Sequence, residues 1–297
     1  MTDHRPNIGK LTKRGSIQML FLTGILLIFS GCFTTKSVNQ NAAIFTISNN
    51  TAVYDSVPDD SLTIALIKPY KATMEAQMSE YIATIDSPFS NAFFVGNLGR
   101  LAADYMLLSA NAISIKEFGV PCHFAISNNG GFRTGFYPGP VTMQQLFEVM
   151  PFENELVLVQ LPGIYVDSLF QYIAQLQGTP ASGFLMSYSK GNTRKGNTRK
   201  DNRYLSLKLN AQPVNSVQDL LNPQYTQPLD TRRDYLIAVN SYMVVGGDGF
   251  TMLKHAKKIH YTGTNLRTVL AQELKAEYEA NKFIDPRKQI RIYHEPQ

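Results

Sequence analysis

Along residues 164–176 apolar side chains return every three or four positions, and Val166, Leu169, Phe170, Ile173 and Leu176 share one face. Residues 265–282 repeat the pattern with Leu266, Val269, Leu270, Leu274 and Tyr278. Both stretches are predicted to be amphipathic helices that bury one stripe. Leu62, Leu66, Tyr70, Met74, Met78, Ile82 and Ile85 follow at mostly four-residue spacing. They predict one long helix over residues 62–85, kinked or split at Pro69. A further helix is read over residues 99–109. Another begins at Thr142, where Thr142 and Gln145 fit a capping box and Leu146, Val149 and Met150 line one face until Pro151 stops it.

Elsewhere the period is two. Val120, Cys122, Phe124 and Ile126 alternate, as do Leu205, Leu207 and Leu209, and residues 155–161 also read as a strand. Residues 235–239 are continuously apolar, which fits a central strand covered on both faces. Helices and strands interleave without a regular order. Nothing between residues 62 and 293 marks a boundary, so one domain is expected over 62–297. Residues 190–200 contain a five-residue direct repeat, Gly191-Asn192-Thr193-Arg194-Lys195 followed by Gly196-Asn197-Thr198-Arg199-Lys200. Like charges this dense repel and stay hydrated, so a solvated loop is expected.

Composition changes the picture mainly at the N-terminus. Basic Lys10, Lys13 and Arg14 precede an apolar run over residues 19–29 and the small pair Ser30-Gly31, the layout of a secretory signal over residues 1–31. The run is short for a bilayer span. Phe29-Ser30-Gly31-Cys32 resembles the lipobox of bacterial lipoproteins, in which the cysteine is acylated. Cys32 is therefore the expected lipidation site, although Phe29 stands where that box ordinarily has Leu, Val or Ile. The alternative is an ordinary export signal with a cysteine by chance. Either reading implies export, and the lipid reading implies a membrane-anchored bacterial lipoprotein facing the periplasm. Residues 32–61, rich in Thr, Ser and Asn, suit a flexible tether. The formal charge of the whole chain is +5, but residues 1–31 hold four bases and one acid, leaving 24 basic against 22 acidic side chains. That balance gives no electrostatic case for a nucleic-acid partner.

Chemistry-bearing residues concentrate in three short segments. Asn128-Asn129-Gly130-Gly131-Phe132-Arg133 follows an apolar strand, with glycines for a tight turn and a guanidinium fork suited to phosphate or carboxylate. Pro151-Phe152-Glu153-Asn154 reads as a turn that carries an aromatic and polar side chains. In Asn240-Ser241-Tyr242-Met243-Val244-Val245-Gly246-Gly247-Asp248-Gly249-Phe250, a strand ends in a glycine-flanked carboxylate able to accept two hydrogen bonds from a diol. A well-packed turn is the alternative for each. Cys122 beside His123 invites a nucleophile and base, but strand neighbours point to opposite faces, so Cys122 is expected in the core.

In order and spacing the three segments, with Val159-Gln160-Leu161-Pro162-Gly163, resemble the C-terminal substrate-binding domain of 5'-nucleotidases and UDP-sugar hydrolases. Ile67-Lys68-Pro69-Tyr70-Lys71, Gly99-Arg100-Leu101-Ala102-Ala103-Asp104 and the stretch from Asp285-Pro286 to Arg291-Ile292 extend the likeness over nearly all of residues 62–293. The resemblance implies an α+β fold, a mixed β-sheet with packed helices. It implies that Phe152 and Tyr242 clamp a nucleobase and that Asn154 contacts the base edge. Asp248, preceded by Gly247, takes the ribose hydroxyls, while Arg133 and Asn128 face the sugar-phosphate side. One departure stands out. Family members carry further arginines shortly before the helix at Gly99, and residues 72–98 contain none.

In whole enzymes of this kind a separate metallophosphatase domain holds two metal ions that activate water. The five histidines here, His4, His123, His255, His260 and His294, form none of its motifs, and residues 33–61 number only 29. The resemblance thus implies no catalytic residue, metal ligand or cofactor on this chain, with divalent metals expected on a separate metallophosphatase polypeptide. The chain would be the nucleotide or nucleoside recognition half of such a system. The alternative is a stand-alone nucleoside-binding lipoprotein, a receptor without a catalytic partner.

Overall fold

A computed structural model describes residues 54, 57–92, 96–191 and 202–295. The signal, Cys32, most of the tether and nearly all of the basic repeat lie outside the described residues. The chain divides into two units, Met1–Asp59 and Asp60–Gln297. In the second unit the elements run α1 (Ser61–Met78), β1 (Tyr81–Ile85), α2 (Asn97–Phe118), β2 (Phe124–Ile126), β3 (Gly139–Thr142), α3 (Met143–Val149), β4 (Glu155–Pro162) and α4 (Gly163–Leu176). They continue with β5 (Ala181–Ser182), β6 (Phe184–Ser189), β7 (Arg203–Asn210), α5 (Val217–Leu221), β8 (Tyr225–Pro228) and β9 (Asp234–Asn240). The last are α6 (Ser241–Val244), β10 (Lys258–Asn265), α7 (Leu266–Asn281) and β11 (Ile292–His294). The fold is α+β with mixed sheets.

The central sheet has the order β10-β4-β9-β2-β5, with β2 and β9 parallel and the other pairs antiparallel. Strand pleating sends alternate side chains to opposite faces, and here both faces are buried. Phe124, Ile126, Val157, Val159, Tyr235, Ile237 and Val239 pack against α4 and the sheet of β6 and β7. Ala125, Leu156, Leu158 and Ala238 join the core formed with α2, α3 and α7. This explains why residues 235–239 are apolar without a break. Helix α4 buries Val166, Leu169, Phe170 and Ile173 as its period requires.

Local signals hold where they are self-contained. Thr142 and Gln145 close the capping box at the start of α3. Thr142→Ala is expected to cost about 1 kcal/mol of stability, read as a lower urea midpoint at unchanged slope. Cys122 is buried, with Sγ 3.5 Å from the Phe124 carbonyl and 3.6 Å from that of Leu236. Burial pushes its thiol up to about 12, which removes it as a nucleophile at neutral pH. His123 is turned instead to the Leu236 backbone through Nδ1, 3.1 Å away.

The predicted helix over residues 62–85 is corrected in two respects. Helix α1 ends at Met78, and Tyr81–Ile85 is a strand paired antiparallel with β3. Ile82, Thr84 and Ile85 are β-branched, and Ile82, Ala83 and Ile85 enter the core from an extended backbone. The four-residue spacing of Ile82 from Met78 was coincidental to a change of element. Second, α1 buries no residue: Leu62, Leu66 and Tyr70 are each at least 70% exposed. Pro69 lies inside the helix without splitting it. Helix α2 runs longer than the residues 99–109 read from the pattern, ending only at Gly119 in the left-handed conformation.

Candidate functional site

The topology gathers the three segments at one end of the central sheet. Parallel β2 and β9 both finish there, leading into Ser127-Asn128 and Asn240-Ser241 respectively. Antiparallel β4 starts there, just after Phe152 and Asn154, with Leu156 opposite Asn240. The Ser241 hydroxyl accepts a hydrogen bond from the Glu155 N–H at 3.1 Å and ties the two segments together.

Asp248 is the hub. Its Oδ2 accepts from Asn128 Nδ2 at 2.7 Å and its Oδ1 from the Tyr242 hydroxyl at 3.0 Å. Its backbone carbonyl accepts from the Tyr172 hydroxyl at 2.6 Å. These contacts hold Asp248 at φ +49°, the left-handed region that Asp tolerates better than most residues. Gly247 is required by space: a Cβ there would sit 2.5 Å from the Tyr242 ring and 2.5 Å from the Tyr242 carbonyl oxygen. Asn128 is in turn fixed by Asn240, whose Nδ2 donates to Asn128 Oδ1 at 2.8 Å. A carboxylate carrying one donor on each oxygen keeps a lone pair on each for a ligand.

Phe152 and Tyr242 are 42% and 44% exposed, so both rings present surface to solvent. The Arg133 guanidinium lies over the Phe152 ring, 4.9 Å from its centroid. The turn bearing Phe152 is anchored from beneath. Arg267 Nη1 donates to the Met150 carbonyl at 2.8 Å, Nη2 pairs with Glu153, and the same guanidinium covers the Phe147 ring at 3.6 Å. The Asn154 carbonyl accepts from the Leu266 N–H at 2.8 Å, and its side chain is half-buried.

The structure therefore brings Asn128, Tyr242 and Asp248 into one hydrogen-bonded cluster, with Gly247 close against Tyr242, and Arg133 into contact with Phe152. Asn154 sits on the same turn as Phe152. Three supporting residues went unrecognised in the sequence. Asn240 lay within a quoted segment, but its amide is informative only once β2 and β9 are known to be neighbours. Tyr172 on α4 and Arg267 on α7 are separated from their partners by 76 and 114 positions, a distance no local pattern spans. Among the described residues no cluster of three or more His, Cys, Asp or Glu could hold a metal ion.

A mixed sheet thus carries aromatic, amide and carboxylate side chains together at one end. The 5'-nucleotidase C-terminal domain family matches residues 81–255, and the chain belongs to it. The 5'-nucleotidase of Mus musculus is 24% identical over 270 residues, covering 85% of this chain and 44% of that protein. An apyrase of Tabanus yao is 27% identical over 199 residues, covering 66% of this chain and 34% of its own length. The crystal structure of a 5'-nucleotidase precursor from Thermus thermophilus superposes with a TM-score of 0.59 at 25% identity, over 81% of this chain and 45% of that one. The chain thus spans less than half the length of each of these proteins. Family membership supports a nucleotide-binding role.

Proposed function

We propose that this protein is the nucleoside- or nucleotide-recognition half of a 5'-nucleotidase-type phosphohydrolase system acting in nucleotide catabolism. A separate metallophosphatase chain supplies the metal-dependent catalytic half. The observation that carries the reading is the convergence of Asn128, Tyr242 and Asp248 with the Phe152 turn at one sheet end, in a domain of this family. The two half-exposed rings supply stacking surface, Asn154 the base edge, Asp248 an acceptor for ribose hydroxyls, and Arg133 a cation on the phosphate side. Stacking is tolerant of base identity because every base has a π face. Helix α1, with its apolar side chains in solvent, is the surface offered to the catalytic chain. The signal segment and Cys32 would hold the protein at the membrane as an exported lipoprotein, bringing both halves to one surface.

The test is calorimetry of adenosine binding to the wild type and to Phe152→Ala. The variant is expected to bind about tenfold more weakly, since stacking contributes about 1–3 kcal/mol per base. Heat that is absent from the wild type, or equal in both proteins, overturns the assignment. Mixed with adenine nucleotides and a divalent metal, the purified chain is expected to release no phosphate. Release at enzyme-like rates that is lost on a substitution within residues 62–297 would refute the division of labour.

A further inference from the structure

A pocket of about 360 Å³ lies at the opposite end of the central sheet from the recognition site. Its floor is one sheet face, where the register sets Leu158 and Gln160 of β4 beside Asp234 and Leu236 of β9 and Lys258 and His260 of β10. Farther along the same face, Leu156 and Ala238 are covered by the core built on α2 and α7. The floor stays open because α2 ends at Gly119, in the left-handed conformation, and the chain leaves through Phe118 and Val120, which form a lip. Both lip side chains are 47% exposed, so the pocket opens to solvent. Strand β9 begins here at Asp234 and reaches the recognition site only at Asn240, about 20 Å away.

The walls are rings. Phe118 meets His260 edge to face with centroids 5.1 Å apart, and His123 meets Tyr235 in the same manner at 5.1 Å. An apolar concavity with a few polar groups is the usual form of a small-molecule site. A cavity of about 150 Å³ takes one benzene ring, so this pocket has room for two fused rings. The neighbouring acids already have partners. Asp234 accepts from Lys257 Nζ at 2.9 and 3.0 Å and from Gln160 Nε2 at 3.0 Å, and Glu117 lies 2.8 Å from His260 Nε2. Lys258, exposed at the rim, has no ion-pair partner among the described residues. The Leu236 backbone holds His123 Nδ1 at 3.1 Å, which leaves Nε2 for a ligand. Burial keeps this imidazole below its ordinary range, and hence uncharged at neutral pH.

We propose that this pocket binds a planar aromatic carboxylate, with its rings on Leu158, Leu236, Phe118 and Val120 and its carboxylate at Lys258 and His123. The free lysine decides the sign of the charge. A ring bearing an amine would meet Lys258 as a like charge and find both neighbouring acids engaged, and an uncharged ring would leave the lysine unused. The site does not rest on the nucleoside reading, because none of its lining residues belongs to the three segments at the other sheet end.

The chain contains no Trp, so the fluorescence of a naphthalene probe reports binding without interference. The intact chain is titrated with 2-naphthoate, 2-naphthalenemethanol and 2-naphthylmethylamine, as the wild type, Lys258→Gln and Val120→Asp. Both substituted side chains are exposed, and an unchanged urea midpoint checks that each variant folds. Naphthoate is expected to bind about fivefold more tightly than the alcohol, the scale of one partly exposed ion pair, and the amine more weakly than either. Lys258→Gln brings naphthoate down to the level of the alcohol and leaves the alcohol unchanged, and Val120→Asp, which places a carboxylate at the lip, removes naphthoate binding. An alcohol or amine bound as tightly as naphthoate overturns the assignment, as does naphthoate affinity that either substitution leaves unchanged, or no binding of any probe. Displacement of naphthoate by adenosine, or its loss in Phe152→Ala, puts the probe in the recognition site and overturns the pocket. Naphthoate binding with the expected dependences, in a protein that ignores adenosine, upholds the pocket and overturns the nucleoside reading.

Discussion

Asp104→Ala is expected to destabilise the fold by about 3–5 kcal/mol, the cost of stripping a partner from a buried ion pair. Asp104 and Arg287 are both fully buried. Arg287 Nε donates to Asp104 Oδ2 at 2.9 Å, Arg291 Nη2 donates to the same oxygen at 2.9 Å, and the Ser182 hydroxyl reaches Oδ1 at 2.6 Å. On its other side Arg287 binds Glu277, whose Oε2 also accepts from Tyr105 at 2.9 Å. Removing the carboxylate leaves two guanidinium groups facing each other with Glu277 as their nearest buried counter-charge. The network fastens the C-terminal segment to α2 and α7. Urea denaturation checks it: a loss below about 1 kcal/mol would mean that water reaches these groups in solution. A replacement by Asn, which keeps the shape and half the acceptors, is expected to lose less.

Asp248→Ala is expected to weaken adenosine binding by about a hundredfold while affecting adenine several-fold less. The carboxylate can offer two ribose hydroxyls one acceptor each, and hydrogen bonds to a charged group contribute about 1.5–3 kcal/mol apiece. Adenine has no ribose, so it loses only the orientation that Asp248 gives the Tyr242 ring through their 3.0 Å contact. Competition calorimetry with both ligands separates the two effects. Equal losses for adenine and adenosine would show that Asp248 shapes the loop and does not touch the sugar.

Much of the secondary structure was legible because its causes are local. The period of α4, the alternation in β7 and the capping box of α3 each involve residues within a few positions, and each appears where the pattern puts it. Helix α1 and strand β1 show the limit. A stripe of apolar residues reports amphipathicity, yet α1 leaves its stripe in solvent, and Ile82 and Ile85 were continued in the same register although they belong to a strand. Spacing cannot tell which element comes next when the partner, here β3, arrives some 60 residues later. The candidate site divides in the same way. Phe152, Asn154, Arg133 and Asp248 were identified from short motifs, whereas Tyr172, Asn240 and Arg267, which fix them in place, carry no local mark.

By itself, then, the sequence determined the elements whose causes are local, such as α3, α4 and β7, together with which turns need glycine and which polar groups are available for recognition, because those follow from backbone sterics and side-chain chemistry over a few residues. Only the tertiary structure decided that β2, β4 and β9 present their loops at one end of a sheet. It alone set Asn128 on Asp248 across 120 positions, and it alone joined Arg287 and Arg291 of the C-terminal segment to Asp104 of α2. Those arrangements are long-range contacts, and they are fixed by burial of both sheet faces and by the need to pair every charge taken out of water.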